Sequence, residues 1–443
     1  MRLYLATALL VLLSLAASAA AQSTVTTYVV TLDYFGGKLF WRLTLRDTAG
    51  TLTGDLDGDV VNGKRSGNHI SFHAYDKNGG TEDLDGTVAD GRITGTIMWL
   101  QDGNPPANAT RHNFTADFSP TRAADAKPAY VEFTPTKFHR QFSSEITPVL
   151  HLWPGDTLHT TTVDAGGFDF AGVRHSQGGN PETGPFFIET AMPGDTLVIH
   201  IKRLKLNRDY AMSDDGLVNR ASSTELAVKM KDGGKDVRWR LDLTKGVATT
   251  ELPGDHLKSY TVPLRPMLGC VAVAPGPGPA FPTGDSGDWG GNMDFNEIVE
   301  GNIVYLPIAV PGALLFIGDA HAAMGDGELS GNALETSMDV EISVDVVPGR
   351  RPPGPRVESP SEIMAMGLAG SLDDAIKSAT GNMADWLEFS YHLTPSEIAQ
   401  VLGASAEFRI SEVADRNAGI VLKLRKDRLQ EIQSAPAPSP VKH

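Results

Sequence analysis

Cross-links, basic clusters and long apolar runs are all scarce in this chain, and each shortage excludes something. Cys270 is the only cysteine among 443 residues, so no intramolecular disulfide can form and stability has to come from burial. It lies in the apolar run Leu268-Gly-Cys-Val-Ala-Val273, where a thiol serves as small packing rather than as an accessible nucleophile. Lys and Arg number 38 against 54 Asp and Glu, and the resulting net charge of −16 repels a phosphate backbone. Nucleic acid is therefore not an expected partner. Beyond the first residues, no stretch approaches the roughly 20 apolar residues that span a bilayer.

The familiar signatures of hydrolytic chemistry are missing too. The chain has neither a G-x-S-x-G nucleophile elbow nor the H-E-x-x-H zinc spacing. Pro275-Gly-Pro-Gly-Pro279 looks superficially like a phosphate loop. Its prolines remove the N–H donors such a loop needs, and no Lys-Ser or Lys-Thr follows.

What is present is glycine and proline, 46 and 28 residues, which point to many turns and hence many strands. The length exceeds the roughly 250–300 residues at which one core stops growing, so two folded units are expected. Residues 1–22 read as an export signal: Arg2, the apolar run Leu9 to Leu15, and small residues at Ala17-Ser18-Ala19 or Ala19-Ala20-Ala21. This predicts a periplasmic or secreted protein. Residues 24–120 alternate apolar and polar in short runs broken by glycine turns, which predicts a small antiparallel, barrel-like β domain. The acidic cluster Asp55, Asp57 and Asp59 lacks EF-hand spacing and reads as a solvated turn.

Residues 121–129 form a small, polar, proline-terminated linker, and residues 130–430 a β-rich body that makes the whole chain α+β and mainly β. Ser371-Leu-Asp-Asp374 and Thr394-Pro-Ser-Glu397 carry N-capping patterns, so two helices are expected to close this body. After a last strand near Ala418 to Leu424, residues 431–443 read as a disordered tail.

Polar residues gather in three glycine-punctuated segments of the second unit. These are His159 to Gly167, Gly287 to Asp294, and Gly318 to Glu328 followed by Glu335. Asp319 and His321 alternate along one extended stretch, so both side chains share a face and are expected to bind one metal ion. A metal such as Zn²⁺ suits hydrolysis of a small amide because it lowers the pKa of water and polarises a carbonyl, while a neighbouring carboxylate shuttles the proton.

These segments resemble the acetamidase/formamidase family. The likeness is carried by Asn180-Pro-Glu-Thr-Gly-Pro-Phe-Phe-Ile-Glu189, Pro193-Gly-Asp195, Gly290-Gly-Asn-Met-Asp294, Leu306-Pro307, Pro311-Gly-Ala313 and Gly318-Asp-Ala-His-Ala-Ala-Met-Gly-Asp-Gly-Glu328. It runs in order from about Phe138 to Leu424. The resemblance implies a metal-dependent amidohydrolase, usually oligomeric, that turns a short linear amide into ammonia and a carboxylate. Carried over by position, Asp164, Asp319 and His321 become the metal ligands. Glu328 and Glu335 become the proton-transfer groups, and Asn292 and Asp294 orient the amide. The divalent ion is expected to be zinc. One departure is Met324, where the family pattern suggests a polar residue such as Gln. That departure and the export signal motivate an alternative, an inactive member that binds a small molecule or partner.

Overall fold

In the computed structural model of the chain, residues 23–75, 79–230 and 233–432 are described. The expected signal segment and nearly all of the expected tail lie outside them. The described residues separate into two compact units. One comprises the chain up to Asp33 together with Arg42–Phe118, and the other Tyr34–Trp41 together with Ser119 onward.

The first unit is an eight-stranded closed barrel, running from Thr24–Tyr34 to Thr110–Ser119 with each strand paired to its sequence neighbour. Strict alternation drives this topology. Val30 and Leu32, Leu43 and Leu45, Leu52 and Leu56, Ile70 and Phe72, and Ile93 and Ile97 point inward and are buried, while the residues next to each along its strand turn to the other face. Closure removes the exposed edges that would otherwise invite aggregation. The Asp55–Asp59 cluster is a turn in which Asp55 accepts the Gly58 N–H at 3.0 Å. Among the described residues no group with metal-binding spacing lies there.

The second unit is built on two large sheets. One has eleven strands and contains Met267–Ala272, Gly290–Asn292, Leu315–His321 and Glu335–Thr336. The other has nine, including Thr196–Leu206, Ile303–Pro307, Met338–Val347, Glu362–Ala369 and Ala418–Arg425. A single buried cluster draws on both: Leu268, Val271, Leu315 and Ile317 from one sheet meet Leu197, Ile199, Val304, Val340 and Met364 from the other.

The two expected helices form at Leu372–Tyr391 and Pro395–Ser405. Ser371 caps the first by accepting the Asp374 N–H, and Thr394 with Glu397 makes a reciprocal capping box on the second. They pack on the outer face of the nine-stranded sheet, where Ala375, Ala379, Met383 and Leu387 meet Ile363, Ala365, Ile420 and Leu422. Ile432 packs on the same cluster, two residues past the expected boundary at 430.

The stretch read as a linker is fastened to this unit. Arg122 donates to Asp156 Oδ1 at 2.9 Å and the Ala129 N–H donates to the same oxygen at 2.8 Å. Among the described residues no helix is long and apolar enough to cross a membrane.

Candidate functional site

Strand register assembles the site. Leu315–His321 pairs with Met267–Ala272 on one side and with Glu335–Thr336 on the other, and the second pairing sets His321 directly opposite Glu335. Opposed residues in an antiparallel pair bring their Cβ atoms to about 5 Å, which explains why His321 Nε2 and Glu335 Oε1 are only 3.1 Å apart. The strand Gly290–Asn292 pairs Asn292 with Cys270 and carries the chain into Asp294. Between the two partner strands the chain makes an excursion that is clasped where Ala322 N–H donates to Leu334 O and Leu334 N–H to Ala323 O. Glu328 sits within this excursion and accepts the Ala333 N–H at 3.1 Å.

The result is one imidazole ringed by acids. His321 Nε2 lies 3.4 Å from Asp319 Oδ2, 3.9 Å from Asp294 Oδ1 and 3.9 Å from Glu328 Oε1, in addition to Glu335. All five residues are buried. Both ring nitrogens of His321, together with Asp294 Oδ1, Asp319 Oδ1 and Glu335 Oε2, have no hydrogen-bond partner. The short Nε2 separations are ion-pair distances without hydrogen-bond angles. Buried polar atoms normally find partners, so such a concentration of orphans marks a place built for something else to bind. Asp294, Asp319 and Glu328 also hold left-handed backbone, with φ of 40°, 48° and 48°. Each such residue costs about 1–3 kcal/mol, a strain that clusters at functional sites.

Asp319 therefore departs from the extended geometry expected of it, although its carboxylate still meets His321. The Cβ-free backbone of Gly269, opposite Asp319, makes the room. A Cβ on Gly269 would fall 2.5 Å from Asp294 Oδ1 and 2.6 Å from Asp319 Oδ2. Gly269→Ala is expected to cost about 1–3 kcal/mol by overpacking and to weaken divalent-metal binding, read by thermal denaturation and metal titration. Gly284→Ala, where no atom stands within 4 Å, is the control and should change neither.

Three sets of potential metal ligands draw on these residues. Asp319, His321 and Glu335 form one set with ligand atoms within 4.8 Å of each other, Asp294, His321 and Glu328 a second, and Asp294, Glu412 and Asp415 a third. The segment bearing Glu412 arrives because Gly327 N–H donates to Ser411 O and Val413 N–H donates to Gly327 O. Glu412 and Asp415 lie outside the three polar segments that the sequence singles out. Glu182 likewise gained no role from its sequence, yet it is buried with both oxygens lacking hydrogen-bond partners, and its carboxylate occupies the space a Cβ on Gly318 would fill.

Asp164 is elsewhere. Its Oδ2 accepts from Arg208 Nη2 at 2.7 Å and its Oδ1 accepts the Phe168 N–H, and it belongs to none of the three groups among the described residues. Arg208 continues to Glu335 O at 3.1 Å and Thr336 Oγ1 at 3.0 Å. The Asp164 charge is thereby spent on an arginine that braces the strand carrying Glu335. Asn292 is similarly committed. Its Oδ1 accepts from Asn180 at 3.1 Å, while its amide donates to Asp294 Oδ2 at 2.6 Å and Asp415 Oδ2 at 2.8 Å. It orients two carboxylates.

Electrostatics follow from burial. Burial pushes the Glu335 carboxyl up to about 7, with His321 opposing the rise and Asp319 adding to it. Glu412 is pushed up to about 9 by burial and by Asp415, and Asp415 to about 6 by burial, with the Asn292 hydrogen bond opposing. Asp294 and Glu328 are held well above the usual carboxylate range, again chiefly by burial. For His321 burial acts downward, but the Glu335 and Asp319 carboxylates outweigh it and hold the imidazole well above its ordinary value. Cys270 is fully buried, and burial followed by Glu182 pushes its thiol far up, as expected of packing rather than of a nucleophile.

The Acetamidase/Formamidase family model matches residues 280–360, the stretch holding Asn292, Asp294, Asp319, His321, Glu328 and Glu335. An acetamidase of Mycolicibacterium smegmatis is 36% identical over 61 residues, 14% of this chain and 15% of that protein. The chain spans only about one seventh of the length of the curated relatives it matches. Solved structures extend the likeness. A protein of Thermoanaerobacter tengcongensis predicted to be an acetamidase/formamidase superposes with a TM-score of 0.60 at 27% identity, covering 69% of this chain and 99% of that one. An acetamidase of Yersinia enterocolitica gives 0.60 at 27% identity, covering 69% and 94%.

Proposed function

From the premise that this chain is of the acetamidase/formamidase family, we propose that it hydrolyses a primary carboxamide to ammonia and a carboxylate with the help of a divalent metal ion. The observation that carries the reading is the buried His321 ring with four carboxylates within 3.9 Å of Nε2 and its own nitrogens lacking hydrogen-bond partners. A hydrated cation exchanges its water for such a set readily, and imidazole plus carboxylate is a donor set that zinc accepts. When bound, a divalent ion supplies a Lewis acid for the carbonyl and water of lowered pKa.

The chain's own residues supply the rest. Asp319, His321 and Glu335 hold the ion, fixed by the strand register that opposes His321 to Glu335. Arg208 steadies the Glu335 backbone, and Asn292 steers Asp294. Glu328 lies between the acid ring and an open cleft, so it takes the proton from attacking water and returns it to the departing nitrogen. The amide C–N bond breaks, a C–O bond forms, and nitrogen leaves as ammonia. An exported, oligomeric protein completes the reading, and the N-terminal segment supports the export.

Purified protein loaded with Zn²⁺ should release ammonia from members of a primary-amide panel and lose that activity on chelation. Absence of ammonia from every amide, with and without metal, would overturn the proposal.

A further inference from the structure

We infer that the acyl group of the substrate is apolar and of aryl or branched-alkyl size, an inference that rests on the amide-hydrolase reading above. A cleft of about 600 Å³ opens beside Glu328. Much of its wall is apolar: Trp239 from the strand Asp236–Asp242, Tyr260 and Val262 at the edge of the same sheet, and Met324, Leu329 and Leu334 from the excursion that bears Glu328. Ser213, Ser330 and Asn332 and the charged Arg265 and Asp326 line the rest of it beside Glu328. Clefts of roughly 300–1,000 Å³ enclose molecules of many atoms. Formamide and acetamide, with three or four heavy atoms, would leave most of this one to water, each molecule taking about 30 Å³.

Exposure points the same way. Tyr260 and Leu329 are 50% and 47% exposed, so large apolar surface stands wet at the mouth of a site whose floor is a buried carboxylate. An acyl group seated there would cover it while its carboxamide reaches Glu328. Because ammonia is the leaving group in the proposed reaction, the apolar part has to belong to the acyl side. Met324 lies in the same wall, where the sequence resemblance suggests a polar residue, and an unbranched thioether there adapts to a bulky apolar neighbour. In the reaction R–CO–NH₂ plus water gives R–COO⁻ and ammonium. The C–N bond breaks, a C–O bond forms, and the proton ends on nitrogen.

The test measures ammonia release by the metal-loaded full chain from acetamide, isobutyramide and phenylacetamide. A well-placed methylene is worth about 10- to 200-fold in such a pocket, so phenylacetamide should exceed acetamide in kcat/KM by roughly tenfold or more. Tyr260→Ser and Leu329→Ser change exposed positions that the fold does not need, and together they should lower the phenylacetamide-to-acetamide ratio by roughly tenfold. A ratio at or below one, or one that the paired substitutions leave unchanged, overturns the inference.

If no amide at all is hydrolysed, the hydrolase reading fails and calorimetric titration with phenylacetamide decides the cleft. Saturable binding weakened by the paired substitutions supports an apolar ligand site, and no binding overturns it. A dimer that those substitutions dissociate and phenylacetamide leaves intact would show the cleft filled by a second copy of the chain, which also overturns it.

Discussion

Under the proposed reaction, His321→Ala is expected to abolish divalent-metal binding and ammonia release together. The imidazole is the only nitrogen ligand in the sets around it, and its removal leaves Asp294, Asp319, Glu328 and Glu335 facing one another. Buried acids without a cation take up protons, and protonated carboxyls are poor ligands. Loss of a residue that merely supports a metal ligand costs about 10–100-fold in affinity or activity. Loss of a direct ligand should exceed that, with a drop of more than about 100-fold in both metal affinity and turnover. Elemental analysis and ammonia release on a variant with unchanged circular dichroism provide the measurement. Retention of metal and turnover would remove His321 from the centre.

Stripped of metal, the protein should become less stable as pH rises from about 4 to about 9, and a divalent ion should restore most at the alkaline end. The sign follows from the acids. The folded-state values of Glu335, Glu412 and Asp415 are raised to about 7, 9 and 6, from ordinary values of 4.5, 4.5 and 3.8. In the unfolded chain these groups ionise near pH 4, while in the folded chain they keep their protons. The folded state therefore binds more protons across that interval, its advantage is complete below about pH 4, and it is lost as pH climbs through 6, 7 and 9 in turn. A carboxyl whose ionisation is displaced by one pH unit on folding changes stability by about 1.4 kcal/mol, and all three of these carboxyls act in the same direction. A bound cation reverses the logic by favouring the ionised forms and expelling protons. Thermal melts of chelated and Zn²⁺-loaded protein across this range read the effect. A melting temperature of the chelated protein that rises steadily from pH 5 to 9 would contradict the assignment of these groups.

The barrel-like first unit and the two capped helices were legible because each rests on a local rule. The barrel repeats a period of two with glycine turns, and both helices announce themselves by side-chain caps at Ser371 and Thr394. Glu362–Ala369 was not legible as a strand. It is covered on both faces, with Met364 and Met366 turned to one cluster and Ile363 and Ala365 to the other. A strand buried on both sides shows no alternation, so its apolar run gave no strand signal.

The site divides along the same line. Asp319, His321, Asn292, Asp294, Glu328 and Glu335 lie in glycine-punctuated segments that share a matched stretch of sequence, and their types and spacing already spoke of a cation and a proton carrier. Which of them meet was decided by register, by the room left at Gly269, and by the return of the chain at Ser411–Asp415. Asp164 reads like a ligand in one dimension. In three it is 2.7 Å from Arg208, a residue 44 positions away. Sequence settles which groups a chain can offer, because composition and short-range geometry are local. Charge neutralisation and burial depend on contacts between distant segments, and those exist only once the sheets have packed.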